Sequence, residues 1–183
     1  MEFLLLAMIA LSSGIIGALV GLGGGAILVP ATLFIGISLG YIPDLTPQTV
    51  VGLSVVMMIF TGLSSTLSYA KTKRVDYKSG FIFFIGSVPG TVLGAWVNKG
   101  LDLPSFNTYF GIVLILLAIL LLVQDKLKPI TWFVEHGTKR HFTDHTGTEF
   151  VYGYPVWFAL LLTFFIGFAS GLFGIGGGSM IVP

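Results

Sequence analysis

The chain has 183 residues, is 55% apolar and only 9% charged, and carries a formal net charge of +1 with a mean hydropathy of +0.97. A water-soluble domain carries about a quarter charged residues, so much of this surface must face lipid, and the balanced charge leaves no nucleic-acid footprint. The lack of cysteine excludes disulfides, iron–sulfur clusters, thiolate zinc sites and cysteine nucleophiles.

The start, Met1-Glu2-Phe3, has no basic n-region, and the apolar run outlasts a signal-peptide core, so it is expected to be a retained membrane segment. Residues free of Asp, Glu, Lys and Arg then run from Phe3 to Pro43, Leu45 to Ala70, Ser79 to Asn98, Leu103 to Gln124 and Phe150 to Pro183. A spanning helix needs about 20 apolar residues. The second, third and fourth stretches each suit one helix; the first, at 41 residues, is too long for one. The expected fold class is therefore all-α, a polytopic membrane protein.

Eight of the nine basic residues fall in two loops: Lys71, Lys73, Arg74 and Lys78, then Lys126, Lys128, Lys139 and Arg140. The positive-inside rule places both loops in the cytoplasm, two spans apart, with Asp44 and the Lys99–Asp102 turn facing outward. The one long polar stretch, Gln124–Tyr154, is expected to be a cytoplasmic connector with a small β-hairpin around Thr143–Gly147.

Internal repetition is the strongest signal. Gly14–Pro30 lines up without gaps on Gly167–Pro183, at an offset of 153, with eight of 17 positions identical. This predicts duplicated membrane halves, as in many transporters. Residues 1–124 form the first repeat, 125–154 the connector and 155–183 the start of the second. The counterpart of Ala31–Gln124 is missing, so the sequence is expected to be one whole repeat plus the opening helix of the next.

Three consecutive glycines in an apolar helix cost about 1 kcal/mol each relative to alanine and open backbone conformations closed to other residues. Helix breaks are therefore predicted at Gly23–Gly25 and Gly176–Gly178, each followed at the same distance by proline, Pro30 and Pro183. Broken backbone at membrane depth survives only when buried in protein or lining a wet cavity. There its free N–H groups and the positive end of the next half-helix attract an anion. No span holds an ionisable acid, base or histidine, so backbone dipoles and hydroxyls must hold the solute. Candidate hydroxyls are Ser54, Thr61, Ser64, Ser65, Ser87, Thr91 and Ser179. The expected substrate-binding set is Gly23, Gly24, Gly25, Ser54, Gly176, Gly177, Gly178 and Ser179, with no catalytic residue, metal or cofactor. The expected partners are a small anion and the bilayer, with self-association left open.

Several patterns favour plainer explanations. Gly17/Gly21/Gly25, Gly86/Gly90/Gly94 and Gly167/Gly171 have the small-xxx-small spacing that lets helices approach closely. Gly21–Ala26 fits G-x-G-x-x-A, but its flanks are spanning helices rather than a βαβ unit. His136, His141 and His145, with Asp144, are expected to be hydrated loop residues rather than a metal site. A membrane scaffold whose glycines serve packing alone is the competing function.

The duplicated glycine motifs, each ending in Val-Pro, resemble the TauE/SafE family of sulfite and organosulfonate exporters. Pro47–Ser54, Arg74-Val-Asp-Tyr77 and Gly86-Ser-Val-Pro-Gly90 with Gly94 extend the resemblance along the whole chain. It implies export of a small sulfur-containing anion across the cytoplasmic membrane by two related halves. Two topologies fit the charges. In one, Phe3–Pro43 crosses once and the halves are parallel. In the other, favoured here, it crosses twice as short helices hinged at Gly23–Gly25, the N-terminus is outside and the halves are inverted.

Overall fold

The computed structural model describes residues 2–20, 23–42, 45–71, 77–123, 138–143 and 149–176. In chain order the elements are α1 (Glu2–Val20), α2 (Gly25–Thr32), a π-helical continuation (Leu33–Ser38), α3 (Pro47–Lys71), α4 (Tyr77–Asn98), α5 (Leu103–Val123), β1 (Thr138–Thr143), β2 (Glu149–Tyr154) and α6 (Val156–Phe173). Helices α3 to α6 are each long and apolar enough to cross a membrane, and α1 and α2 are shorter apolar helices. Large apolar side chains such as Phe60, Leu67, Phe84, Trp96 and Leu116 stand exposed along these helices, as a lipid-facing surface requires. The protein is thus a multi-pass, α-helical membrane protein.

Charge and helix-end chemistry set the boundaries. Lys71 closes α3, Lys78 sits in the first turn of α4, and Lys99 and Asp102 occupy the turn before α5. Pro47 opens α3 at the position where a missing N–H costs nothing. Thr46 caps that helix: its Oγ1 accepts the Thr49 N–H at 3.2 Å. In the connector, β1 and β2 pair antiparallel from Thr138↔Tyr154 to Thr143↔Glu149, forming the expected hairpin. His141 lies on β1, while Asp144, His145 and His136 lie outside the described residues.

The closest helix pair is α4 with α6. A methyl group at Gly94 would sit 2.8 Å from Leu172 N; at Gly90, 2.9 Å from Phe168 N; at Gly167 and Gly171, 2.9 Å from the Cα atoms of Ser87 and Thr91. At Gly90, Gly94, Gly167 and Gly171 each helix thus lies directly on the other's main chain, while Gly86 meets the Thr163 hydroxyl and the Leu160 backbone. The expected packing role of these glycines is what the geometry shows. Apolar burial offers little drive between helices in lipid, so such close backbone contact is what holds them.

The contacts also fix direction. Gly86 meets Leu160, Gly90 meets Phe164 and Gly94 meets Phe168, so α4 and α6 run parallel. Both start beside a basic loop, which puts those two loops at the same end of the bundle. The start of α3 is tied to the far end: Gln48 Nε2 donates to Asn98 O at 2.8 Å and Leu101 O at 2.9 Å. Leu4, Leu5 and Met8 near the start of α1 share a groove with Tyr41 and Ile42, just before α3. Residues 2–42 therefore form a helical hairpin hinged beyond Val20, not one long helix. It follows that α1 and α6, which carry the two motif copies, run in opposite directions, the arrangement expected of the hinged topology.

The seam makes a sharp prediction. Gly90→Ala should lower stability by about 1–3 kcal/mol through overpacking, because its Cβ would press on Phe164 O. At Gly62 and Gly111, helical positions with open space around the added carbon, the same change should be neutral or gain up to about 1 kcal/mol. Thermal unfolding in detergent distinguishes these outcomes.

Candidate functional site

The first predicted break is present among the described residues; at the second motif α6 ends three residues before the predicted run, of which only Gly176 is described. Helix α1 stops at Val20 and α2 starts at Gly25, with Gly23 at φ +68°. Helix α6 stops at Phe173; Gly174 caps it in the left-handed conformation, its N–H donating to Ser170 O at 2.7 Å, a common helix ending. Gly176 follows at φ +88°. Gly23 and Gly176 occupy the same place in the two motifs, and both adopt backbone that favours glycine. Gly177, Gly178 and Ser179 lie outside the described residues.

The two breaks touch. The face of Gly25 where a side chain would stand is filled by the carbonyl oxygen of Gly174, with Ile175 O 3.3 Å from the same point. The beginning of α2 thus meets the end of α6, so the partial positive charge of one helix faces the partial negative charge of the other. Gly17 brings α1 close as well, its added carbon falling 2.7 Å from Gly24 Cα.

One wall of the junction is α3. Ser54 Oγ lies against Gly174, Met57 against Gly24, and Met58 Sδ 2.7 Å from the Cβ position of Gly176. These α3 residues lie roughly 10–17 Å along the helix from Pro47, at 1.5 Å per residue. Two flexible thioethers are well suited to filling the irregular space beside the glycines. Ser54 is fully buried, and its hydroxyl donates to Val51 O at 2.7 Å. On the other side, Phe106 and Phe110 of α5 close over Phe173, with ring centroids 5.6 and 5.7 Å away. Fully buried Val29, Val50 and Ile175 complete this core.

Main-chain groups at the breaks are partly capped by side-chain amides. Asn98 Nδ2 donates to Leu172 O at 2.6 Å, satisfying a carbonyl in the last turn of α6. The opening of α2 has no such partner: Gly24 is its N-cap and makes no side-chain hydrogen bond. Gly24 O accepts from Leu28 N at 2.8 Å and from Ile27 N at 3.3 Å, which leaves the N–H groups of Gly25 and Ala26 as the first-turn donors of α2 with no acceptor within their own helix.

Of the candidate hydroxyls on described residues, only Ser54 stands at the breaks. Ser87 and Thr91 belong to the α4–α6 seam and donate to Phe84 O and Ser87 O at 3.2 and 2.9 Å. Thr61, Ser64 and Ser65 line a separate groove between α1 and α3. Sequence reasoning missed Asn98 and Gln48, although an amide at the end of an apolar run signals a helix cap. It also missed Thr32, which is buried with no hydrogen-bond partner for Oγ1 where α2 passes into the π-helix.

Two substitutions separate conformation from capping. Gly23→Ala should cost about 1–2 kcal/mol from φ alone, since nothing lies within 4 Å of its Cβ position. Asn98→Leu should cost about 1–3 kcal/mol by leaving the Leu172 carbonyl unpaired. Melting temperatures in detergent measure both, and an unchanged value contradicts the corresponding contact.

Comparison with known proteins agrees with this architecture. The description "Sulfite exporter TauE/SafE" matches residues 6–183. The chain is 45% identical over 183 residues to the probable membrane transporter protein YunE of Bacillus subtilis, covering all of this chain and 67% of that protein. It is 32% identical over 187 residues to the probable membrane transporter protein MJ0441 of Methanocaldococcus jannaschii, covering all of this chain and 62% of that one. A third relative, the probable membrane transporter protein YjnA of Bacillus subtilis, is 30% identical over 181 residues, with 90% and 61% covered. The chain thus spans about two thirds or less of the length of these relatives, and no solved structure matches it. With a match across nearly its whole length, the chain belongs to the TauE/SafE sulfite exporter family.

Proposed function

We propose that the protein takes part in moving a small anion, such as sulfite or an organosulfonate, out of the cell across the cytoplasmic membrane. In this proposal Gly23, Gly24 and Gly25 of the first break, and Gly176, Gly177 and Gly178 of the second, present main-chain groups to the anion. Ser54 and Ser179 supply hydroxyls. The observation that carries the proposal is the pair of glycine breaks, in oppositely directed helices, meeting against the middle of one spanning helix. Broken helices in two inverted halves are the usual mark of a transport site near the bilayer midplane.

The chemistry narrows the roles. An anion needs donors, and the uncapped first-turn N–H groups of α2 are donors beside the positive end of a helix. The hydroxyl proton of Ser54 is engaged with Val51 O, so Ser54 must rotate to donate to a solute. No candidate span carries an Asp or Glu, so a proton-coupled cycle would carry its proton on the anion. The packing-only scaffold has one observation in its favour, the Gly25–Gly174 contact, which fills part of the junction with protein.

Liposomes containing the protein should release trapped sulfite. Gly24→Leu should reduce that release to background per inserted, folded protein, and should also lower the melting temperature because Met57 fills the space beside Gly24. Ser54→Ala, a smaller change, should slow it without unfolding the core. Release unaffected by both substitutions would favour the scaffold.

A further inference from the structure

A groove of about 640 Å³ runs between α1 and α3. Its α1 wall consists of Ala10, Leu11, Gly14, Ile15 and Ala18; its α3 wall is lined by Thr61, Ser64, Ser65, Ser68 and Tyr69. Applying the repeat offset of 153 to the α1 wall gives Thr163, Phe164, Gly167, Phe168 and Gly171. Each of those five α6 residues is in contact with α4: Thr163 at Gly86, Phe164 at Gly90, Phe168 at Gly90 and Gly94, Gly167 at Ser87 and Gly171 at Thr91. The face of α6 that a glycine-striped helix covers is therefore the same face that α1 leaves open.

We propose that this groove seats the counterpart of α4 from a second membrane half, packed parallel to α1 as α4 is packed parallel to α6. Small residues keep the α1 surface low, so a partner's main chain can approach closely, the form of association lipid favours. The relatives have room for such a helix, since about a third or more of YunE and MJ0441 lies outside the stretch matched here. Each half would then lend a helix to the other: α6 lies on α4, and α1 on the partner of α4. This inference rests on the duplication and not on transport, so a failure of sulfite release leaves it standing.

The test co-expresses the chain with a separate polypeptide, the part of YunE outside the matched stretch, in membranes where alkaline extraction shows both inserted. A photo-crosslinking phenylalanine analogue is placed at Leu11 or Ile15, both exposed in the groove, and at Phe60 on the lipid-facing surface as control. Leu11 and Ile15 should give adducts with the YunE segment, and Phe60 should not. Ala18→Trp should bring the adducts to background without changing the melting temperature of the chain, because Ala18 is exposed. Adducts only with a second copy of the chain, or only with lipid, overturn the proposal.

Discussion

Every main-chain N–H and C=O in a bilayer must find its partner inside the protein. The architecture depends on how two glycine runs meet that demand. A helix that breaks in lipid exposes several polar groups, each costing roughly 1–3 kcal/mol if left unpaired. Here the ends are brought to one place and partly answered: Asn98 caps Leu172 O, Gly174 N returns to Ser170 O, and the Gly174 carbonyl lies on Gly25. Among the described residues, the uncapped remainder is the N–H groups of Gly25 and Ala26 at the start of α2. In the function proposed above, these donors are the groups that meet the anion.

The junction is held by packing of two kinds. Around it, Phe106, Phe110, Phe173, Val29, Val50 and Ile175 form an apolar core whose members are nearly or fully buried. Away from it, α4 and α6 lie main chain to main chain along Gly90, Gly94, Gly167 and Gly171. The second arrangement gives a stiff parallel pair that fixes where α6 ends, and hence where the second break lies. The Gln48 amide on the carbonyls of Asn98 and Leu101 locks the start of α3 to the same end. Glycine therefore does two unlike jobs in one chain. In the seam it removes side chains, and at Gly23 and Gly176 it supplies left-handed backbone.

Much of this was legible in the sequence. Charge-free stretches located α3, α4 and α5, because lipid excludes ionisable side chains and the edges of those stretches mark the helix ends; the stretch that holds α6 is longer than the helix at both ends. The repeat located the first break and the left-handed Gly176 beyond α6, because glycine at Gly23 and Gly176 answers a backbone need that local sequence states directly. What sequence could not supply was contact between distant segments. Ser87 and Thr91 looked like site hydroxyls, but only the α4–α6 register shows that they belong to a seam. Asn98 looked like the last polar residue of a span until its amide was found on Leu172 O, 74 residues away. Likewise, Gly25 meeting Gly174 depends on the hairpin bringing α2 back along α1, and a reversal leaves no periodic trace.

The central claim is that the first glycine run reverses the chain rather than passing through a straight helix. The distance between spin labels at Leu4 and Tyr41 tests it directly, since both side chains are exposed and the chain has no cysteine to mask. A reversal places the two labels at the same end of the hairpin, where Leu4 and Tyr41 line one groove, and the distance should be at the short limit of the method. A value near the roughly 55 Å of an unbroken helix, 37 residues at 1.5 Å each, would contradict the account.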